Sequence, residues 1–220
     1  MAVLTTAGIT FGDSTTQSTA ALAVSLRTTV FASSSSFVPP AGVTKITITC
    51  IGGGGGAGTQ FSRSCGMGGV AFGEISVVPG TTYLVTVGAG GVVGNSGTAG
   101  GESFFGVDSS TKLISATGGA GGVAGGGAVA NGAGANGTVV NSNIAFTSNS
   151  SINNFGSTPE NTGCIGVFAG RTYRTSGGTG AIAWSPTNNM LPGASGYSES
   201  STGDYRGGVG GAISIQYAGT

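Results

Sequence analysis

The feature that most constrains this chain is a short apolar run that continues directly into a tract of glycine. Residues 43–58 read VTKITITCIGGGGGAG. In the first part Ile46, Ile48 and Cys50 alternate with lysine and threonine, which predicts a half-buried β-strand. The glycines that follow have no side chains, so they let backbones approach one another closely. The sequence therefore predicts a strand that runs on into a glycine segment with a structural role.

The same junction of apolar strand and glycine tract occurs three more times. It appears as TTYLVTVGAGG at residues 81–91, as KLISATGGAGG at residues 112–122 and, in reverse order, as GGVGGAISIQY at residues 207–217. In the last of these Ile213 and Ile215 alternate with polar residues, so we expect this strand to pair with the opening one and close a sheet. Repetition of one local design predicts an all-β, β-sandwich-like glycine-rich domain with glycine tracts between short strands.

A turn between two strands is predicted in the first half of the chain. VAFGEISVVPG, at residues 70–80, ends in Pro79–Gly80 and runs into TTYLVTV. Pro-Gly favours a turn, and two strand-like runs on either side of a short turn are typical of a β-hairpin. We therefore predict that these two strands pair with each other.

Glycine makes up 47 of the 220 residues, whereas proline accounts for only 6. Such a composition is typical of flexible linkers, but the apolar residues here are clustered in strand-like runs, which indicates structural glycine. Collagen is excluded because glycine does not recur at every third position. Two interpretations of the tracts stay open. They are either loops between strands, or extended segments that pack as polyglycine-II helices with hydrogen bonds between neighbouring segments.

The chain carries 7 acidic and 7 basic side chains, so its formal net charge is zero and only 6% of its residues are charged. This composition lacks the basic surface that nucleic-acid binding requires, and it provides no attraction to an anionic membrane. No apolar run reaches the roughly 18 residues that span a bilayer, and the first residues do not read as a signal peptide. We expect neither nucleic-acid binding nor membrane insertion.

The absence of histidine excludes much of the enzymatic chemistry that a chain of this size can carry out. Ser–His and Cys–His nucleophilic catalysis need an imidazole base, and most zinc sites need an imidazole ligand. The glycine run after the first strand matches a dinucleotide-binding pattern, but no amphipathic helix follows it to hold a pyrophosphate. We expect no catalytic residues, no metal and no cofactor. One chemistry stays open, a carboxylate pair for glycoside hydrolysis, for which Glu160, Glu199 and Asp204 lie in one region.

The three cysteines are Cys50, Cys65 and Cys164. Their number is odd, and their spacing fits neither a zinc site nor a disulfide framework. We expect buried free thiols, with a Cys65–Cys164 disulfide as the alternative.

Residues 1–36 differ from the rest of the chain, because they contain little glycine and much threonine, serine and alanine. Residues 20–32, AALAVSLRTTVFA, fit a short helix and an extended segment equally well. The four serines at 33–36 are typical of a linker. We predict an N-terminal attachment or oligomerisation segment with its linker at 1–36, followed by a glycine-rich β domain at 37–220.

Two parts of the sequence resemble proteins of tailed bacteriophages. GITFGDSTTQSTA at residues 8–20 looks like a segment that recurs in tail fibres. The order PPAGVTKITITCIGGGGGAG, VVPGTTYLVTVGAGG, SFFG, ISATGGAGG and GGVGGAISIQY resembles, over most of residues 37–220, the glycine-rich domain of phage tail-fibre and adhesin proteins. Those proteins bind bacterial surfaces, and some related adhesins stack glycine tracts as polyglycine-II helices. The resemblance implies a virion protein, assembled in the host cytoplasm, that forms a homotrimer and attaches to other tail proteins through residues 1–36.

The chain departs from this pattern in a polar and aromatic insert at about residues 141–206, where glycine is less frequent. Long polar inserts in a rigid scaffold commonly carry binding function. Aromatic rings stack on the apolar faces of sugars, arginine binds hydroxyl or phosphate groups, and both residue types are common at protein interfaces. Trp184 and Phe168 also fit a role as packing anchors. The predicted receptor-binding residues are Arg171, Tyr173, Arg174, Trp184, Tyr197, Tyr205 and Arg206.

These observations predict a tail-fibre or adhesin subunit, without enzymatic activity, that binds a polysaccharide or a protein on the host-cell surface. Many copies of a weak site on one particle would provide avidity. The alternative is a purely structural virion component, such as a fibre segment, collar or decoration protein, whose insert contacts neighbouring subunits.

Overall fold

The computed structural model describes residues 3–5, 8–17, 25–58, 66–122, 142–148, 167–168, 171–172, 192–193, 198–199, 204–205 and 207–219. These residues form sixteen β-strands and contain no helix. In chain order the strands are β1 (Val3–Thr5), β2 (Gly8–Thr10), β3 (Thr16–Gln17), β4 (Ser25–Phe31), β5 (Ser35–Phe37), β6 (Lys45–Ile51), β7 (Val70–Ser76), β8 (Tyr83–Thr86), β9 (Ser103–Gly106), β10 (Lys112–Ala116), β11 (Ser142–Ser148), β12 (Val167–Phe168), β13 (Arg171–Thr172), β14 (Ser198–Glu199), β15 (Asp204–Tyr205) and β16 (Ala212–Gly219).

Five strands form the larger antiparallel sheet, in the order β11, β7, β6, β16 and β4. The predicted pairing of the first and last strands of the glycine-rich region is confirmed, because β16 pairs with β6 and places Ile215 opposite Ile48. Alternation along these strands brings isoleucine to one side of the sheet, where Ile46, Ile48 and Ile215 are almost completely buried. At one edge of the sheet, β4 pairs with β16 along its whole length.

The second antiparallel sheet has the order β10, β9, β8 and β5. The predicted hairpin between β7 and β8 is wrong, because these strands belong to different sheets. β7 is already flanked by β6 and β11, so β8 pairs with β5 and β9 instead. The turn itself is present. Gly80 has a φ of 77°, a conformation that favours glycine, in the segment that carries the chain from one sheet to the other.

The two sheets bury a shared hydrophobic core, which confirms the predicted all-β, β-sandwich-like fold. Phe105 of β9 is completely buried and stacks on Tyr83 of β8, with ring centroids 5.0 Å apart. Phe37 of β5 packs beside them and also contacts Tyr217 of β16, at a centroid distance of 5.7 Å. Burial of these rings favours folding because it removes large apolar surfaces from water. The larger sheet contributes Ile46, Ile48, Cys50, Ala71, Ile75, Ile213 and Ile215 to the core.

Part of the predicted N-terminal segment belongs to the sandwich. Residues 20–32, which fit a helix and an extended segment equally well in the sequence, contain β4. The described part of this segment is therefore extended. Ser35 and Ser36, which the sequence placed in a linker, begin β5 and pair with Val85 and Leu84. Serine suits this position because both side chains are exposed at the edge of a sheet, and only Phe37 reaches the core.

The first three strands form a small antiparallel sheet of their own, with β2 between β1 and β3. The turn between β2 and β3 is closed by Asp13, whose Oδ1 accepts hydrogen bonds from Oγ1 of Thr15 at 2.6 Å and from its backbone N at 3.0 Å. These bonds stabilise the carboxylate and lower the pKa of Asp13.

Candidate functional site

Six glycine-rich segments continue six of the strands beyond the sandwich. They follow the C-terminal ends of β6, β8 and β10 and precede the N-terminal ends of β7, β9 and β16. Because neighbouring strands are antiparallel, these ends lie at the same end of the sandwich. We name each segment after its strand and call all six together the glycine bundle. The tracts are the β6 tract (52–58), β7 tract (66–69), β8 tract (88–92), β9 tract (97–101), β10 tract (117–122) and β16 tract (207–211).

The β6 tract lies at the centre of the bundle and donates its N–H groups to three neighbours in turn. Gly52 donates to the β7 tract, Gly53 to the β9 tract and Gly54 to the β16 tract. Gly55 and Gly56 then repeat the first two steps. This three-residue period is that of polyproline II, whereas a β-strand repeats every two residues. The N-to-O pairs are Gly52–Gly69 (2.9 Å), Gly53–Gly101 (2.9 Å), Gly54–Val209 (2.9 Å), Gly55–Gly66 (2.8 Å) and Gly56–Thr98 (2.9 Å).

The carbonyl groups of the β6 tract follow the same period. The carbonyls of Gly53 and Gly56 accept from the β10 tract, three residues apart. The carbonyl of Gly54 accepts a hydrogen bond from the β8 tract, and the carbonyl of Ala57 accepts one from Gly94, just after the β8 tract. The tracts are therefore polyglycine-II-type segments and not loops, and hydrogen bonds between segments satisfy the buried backbone. The donors are the N–H groups of Gly119 (2.8 Å), Gly122 (2.9 Å), Gly91 (2.7 Å) and Gly94 (3.3 Å).

The outer tracts bond to one another and form a ring around the β6 tract. In order round the ring they are the β7, β10, β9, β8 and β16 tracts, and one position is left between the last and the first. Gly193 fills that position, because it donates to the Gly210 carbonyl at 2.8 Å and accepts from the Gly68 N–H at 2.9 Å. The bonds between neighbouring tracts include, from N to O, Gly66–Ala120 (2.7 Å), Gly100–Gly119 (2.9 Å), Gly101–Ala89 (2.7 Å) and Gly208–Gly91 (2.8 Å).

Gly193 is a structural feature of this region that the sequence did not reveal. It belongs to the polar insert, so the insert itself completes the shell around the central tract. The available signal was the Pro192–Gly193 pair, which reads as an ordinary turn. Both residues are buried, and Gly193 has a φ of 72°.

Glycine is required in the bundle because of space and not because of backbone conformation. Among the described glycines, only Gly42, Gly80 and Gly193 have positive φ. A Cβ atom at Gly55 would lie 1.9 Å from the carbonyl oxygen of Ala120, and one at Gly53 would lie 2.1 Å from that of Ala89. These atoms belong to the backbone and cannot rotate away, so a side chain at either of these glycines would force the tracts apart.

The charged side chains whose positions the structure describes lie in the sandwich and near the N-terminus, and the six tracts contain none. Lys45 pairs with Glu74 at 2.9 Å, and Lys112 pairs with Glu102 at 2.5 Å while its Nζ lies 4.9 Å from the centre of the Phe104 ring. The bundle is thus an uncharged body.

The insert is anchored at the bundle, and the N-terminal segment joins the sandwich at the other end. β11, within the insert, pairs with β7. It begins with Ser142 opposite Ile75, at the end away from the bundle, and ends with Ser148 opposite Val70, the residue that follows the β7 tract. Gly193 provides a second anchor. At the far end of the larger sheet, the first residue of β4, Ser25, lies opposite Gly219. β4 therefore begins at the end away from the bundle, whereas Ser148 and Gly193 of the insert lie next to the bundle.

Two of the seven predicted receptor-binding residues lie on described strands. Arg171 is in β13 and lies opposite Phe168 of β12, and Tyr205 is in β15 and lies opposite Ser198 of β14. Each residue therefore lies on its own short two-stranded ribbon. The other five predicted residues, Tyr173, Arg174, Trp184, Tyr197 and Arg206, lie outside the described residues, as do Cys65 and Cys164.

The carboxylates that the sequence left open for glycoside hydrolysis are only partly described. Glu199 of β14 and Asp204 of β15 are register partners, and Glu160 lies outside the described residues. Within the described ranges, no group of three or more acidic or cysteine side chains is arranged to hold a metal ion. Cys50 is a free, buried thiol there, as expected.

A comparison with protein families identifies the scaffold. The profile of a family described as a glycine-rich domain matches residues 28–220. The chain belongs to this glycine-rich domain family. The match begins within β4, so it includes both sheets and all six tracts. No curated protein matches the sequence of this glycine-rich domain protein. In the described part of the chain, no helix is long and apolar enough to cross a bilayer.

Proposed function

We propose that the chain is a tail-fibre or adhesin subunit of a tailed bacteriophage, which binds a polysaccharide or a protein on the host-cell surface through its insert. The observation that carries this proposal is the polarity of the molecule. The insert is anchored on the bundle by Gly193, whereas the chain enters the sandwich at the opposite end, at Ser25. A subunit that is held at one end and binds a surface at the other needs this arrangement.

The rigidity of the bundle supports the same function. Every N–H group from Gly52 to Gly56 donates a hydrogen bond to one of three other tracts, so the tracts cannot shift independently. Binding residues are most effective when a rigid scaffold holds them in position, because less conformational freedom is lost on binding. The six tracts are uncharged, and the insert carries three of the five arginines of the chain, Arg171, Arg174 and Arg206.

We propose further that residues 1–36 attach the subunit to other tail proteins of the virion. The GITFGDSTTQSTA segment at 8–20, which resembles tail fibres, lies before the family match. In the sequence it precedes β4, whose first residue, Ser25, lies at the end of the sandwich away from the bundle. We propose no enzymatic activity, no cofactor and no contact with nucleic acid or membrane interior.

The proposal is tested by binding of the purified full chain to whole bacterial cells from a panel of hosts and to their isolated surface polysaccharide. The variant is Arg171→Ala/Tyr205→Ala, which removes the side chains of the two predicted receptor-binding residues that lie on described strands. The matched control is Arg27→Ala, in β4. We expect the double variant to lose at least about tenfold in affinity, as expected for two interface side chains of these types. The control should bind like the natural chain.

Each outcome has a defined meaning. Full binding by a folded double variant would move the receptor site away from these two ribbons. An absence of binding by the natural chain across the panel would favour the alternative, a structural virion component whose insert contacts neighbouring subunits.

A further inference from the structure

The larger sheet has one long, regular edge that no described segment covers. β4 pairs with β16 without a register shift, from Phe31 opposite Ile213 to Ser25 opposite Gly219. Within the described part of the chain β16 is its one neighbour, because β4 stands at the end of the strand order. Its free side therefore presents a row of backbone N–H and C=O groups that another strand can pair with.

This edge has few of the features that usually prevent such pairing. Protected edges are short, carry proline or charged side chains, especially lysine, or contain a bulge. Among the other edge strands, β10 has a shifted register with β9, β11 has a shifted register with β7, and β5 has only three residues. β4 has seven residues, SLRTTVF, with no proline and a single charged residue, Arg27. On one face it exposes Leu26, which is 70% accessible, and Val30, which is 39% accessible.

The sequence of β4 fits a second copy of itself. In an antiparallel pair, hydrogen-bonded positions alternate along each strand. In a symmetric pair of identical strands, one residue must therefore lie directly opposite its own copy, and the two-fold axis passes between these two residues. An axis at Arg27 would place two arginines directly opposite each other, which is unfavourable. An axis at Thr29 would leave Ser25 and Leu26 without partners.

An axis at Thr28 satisfies the whole strand. All seven residues then find a partner, and Leu26 lies opposite Val30 in both halves of the pair. The single charge, on Arg27, lies opposite Thr29. The two most exposed apolar side chains of the strand thus contact each other, and no like charges lie directly opposite each other.

We propose that β4 is a self-association strand, through which two copies of the chain pair antiparallel about Thr28 and join their larger sheets. Because the strands are antiparallel, the two glycine bundles point in opposite directions, and one dimer presents two inserts. This two-fold pair does not depend on the identity of any receptor. It is also a different assembly from the homotrimer that the resemblance implies, so a mass measurement separates the two.

The first test is the mass of the purified full chain in solution, measured by light scattering and by sedimentation over a range of concentrations. We expect a dimer. The variant Leu26→Lys/Val30→Lys places lysine opposite lysine twice and should raise the dissociation constant at least about tenfold. Leu26→Lys/Val30→Glu places lysine opposite glutamate in the same register and should restore the dimer. Both positions are exposed, so thermal unfolding should confirm that all variants are folded.

The second test is a disulfide across the proposed axis. Directly opposed residues in an antiparallel pair have Cα atoms about 4.5–5.5 Å apart, within the range of a disulfide. Thr28→Cys should therefore form a covalent dimer on mild oxidation, whereas Ser36→Cys, on the edge strand β5, should not. Each of four results would overturn the proposal. They are a monomer at all concentrations, a trimer that the lysine substitutions do not affect, a Leu26→Lys/Val30→Glu variant that stays monomeric, and the absence of a Thr28→Cys dimer.

Discussion

The hydroxyl oxygen of Ser103 accepts a hydrogen bond from the backbone N–H of Gly88 at 2.9 Å, at the point where β8 becomes the β8 tract. The preceding N–H, that of Val87, donates to the hydroxyl of Ser34 at 3.0 Å. At this point the backbone changes from a two-residue to a three-residue period, so its N–H groups turn away from the strand ladder. Two serine side chains supply the acceptors that the sheet no longer provides.

The first prediction compares these two serines. Ser103 is completely buried, so Ser103→Ala leaves the Gly88 N–H buried without its acceptor and should lower the free energy of unfolding by about 1–3 kcal/mol. Ser34→Ala should cost less, because Ser34 is exposed and water can replace its hydroxyl. Urea denaturation of the two variants provides the measurement. Equal losses in both would show that burial at the junction does not matter.

The second prediction concerns the centre of the bundle. Gly55→Ala would place a Cβ atom 1.9 Å from the Ala120 carbonyl oxygen, so we expect it to destabilise the fold by about 3 kcal/mol or to prevent folding. Where the native backbone accommodates alanine, the same substitution stabilises by about 0.4–1 kcal/mol, so the sign alone is informative. The control is Ala89→Ser at an exposed position of the β8 tract, which should be nearly neutral. A stabilised Gly55→Ala protein would contradict the packing described.

The third prediction separates backbone strain from close approach at Gly193. Gly80 and Gly193 both have positive φ, at 77° and 72°. A Cβ atom at Gly80 would meet nothing within 4 Å, whereas one at Gly193 would lie 2.4 Å from the Gly52 carbonyl oxygen. Gly80→Ala should therefore cost about 1 kcal/mol from strain alone, and Gly193→Ala clearly more. Chemical denaturation measures both, and a smaller loss at Gly193 would argue against its place in the ring.

The fourth prediction is a pH dependence from Cys50. Its thiol is completely buried and donates to the Ser103 carbonyl at 3.1 Å; burial, and then the charge of Glu102, raise its pKa well above the ordinary value. The folded chain therefore keeps this proton when the unfolded chain releases it. The contribution to stability is complete below about pH 8.5, the unfolded value, and is lost as the pH rises further.

The measurement is the free energy of unfolding of the natural chain and of Cys50→Ala from pH 7 to pH 11. Above about pH 9 the natural chain should lose about 1.4 kcal/mol per pH unit relative to the variant, because one proton is involved. Other titrating groups cancel in the difference. Parallel curves for the two proteins would show that Cys50 ionises equally in both states.

Alternation of side chains was sufficient to predict β6, β16 and their pairing, because Ile48 and Ile215 each lie on a buried face. It was not sufficient to assign strands to sheets. β7 and β8 look like a hairpin in the sequence, but side-chain alternation carries no information about which neighbours already occupy the edges of β7. The glycine tracts were ambiguous for a related reason. Without side chains they show no periodicity, and only the directions of their hydrogen bonds reveal the three-residue repeat.

For the candidate site, the sequence pointed to a region and not to a set of contacts. Composition alone identified the insert as the place where aromatic and basic residues concentrate, and the structure places Arg171 and Tyr205 on paired strands there. Composition could not indicate Gly193, since one more glycine in this chain carries no signal. Its role follows from two backbone hydrogen bonds to segments distant in sequence.

The central claim is that the glycine tracts form one hydrogen-bonded body, and amide hydrogen exchange at Gly52–Gly56 tests it most directly. All five consecutive N–H groups donate to other tracts, which loops would not do and which a strand with a single neighbour cannot do. We predict that all five exchange only through global unfolding, at least about 10³-fold more slowly than the amide of Ser109 in the exposed 107–111 loop. Exchange of any of the five as fast as that of Ser109 would contradict the bundle.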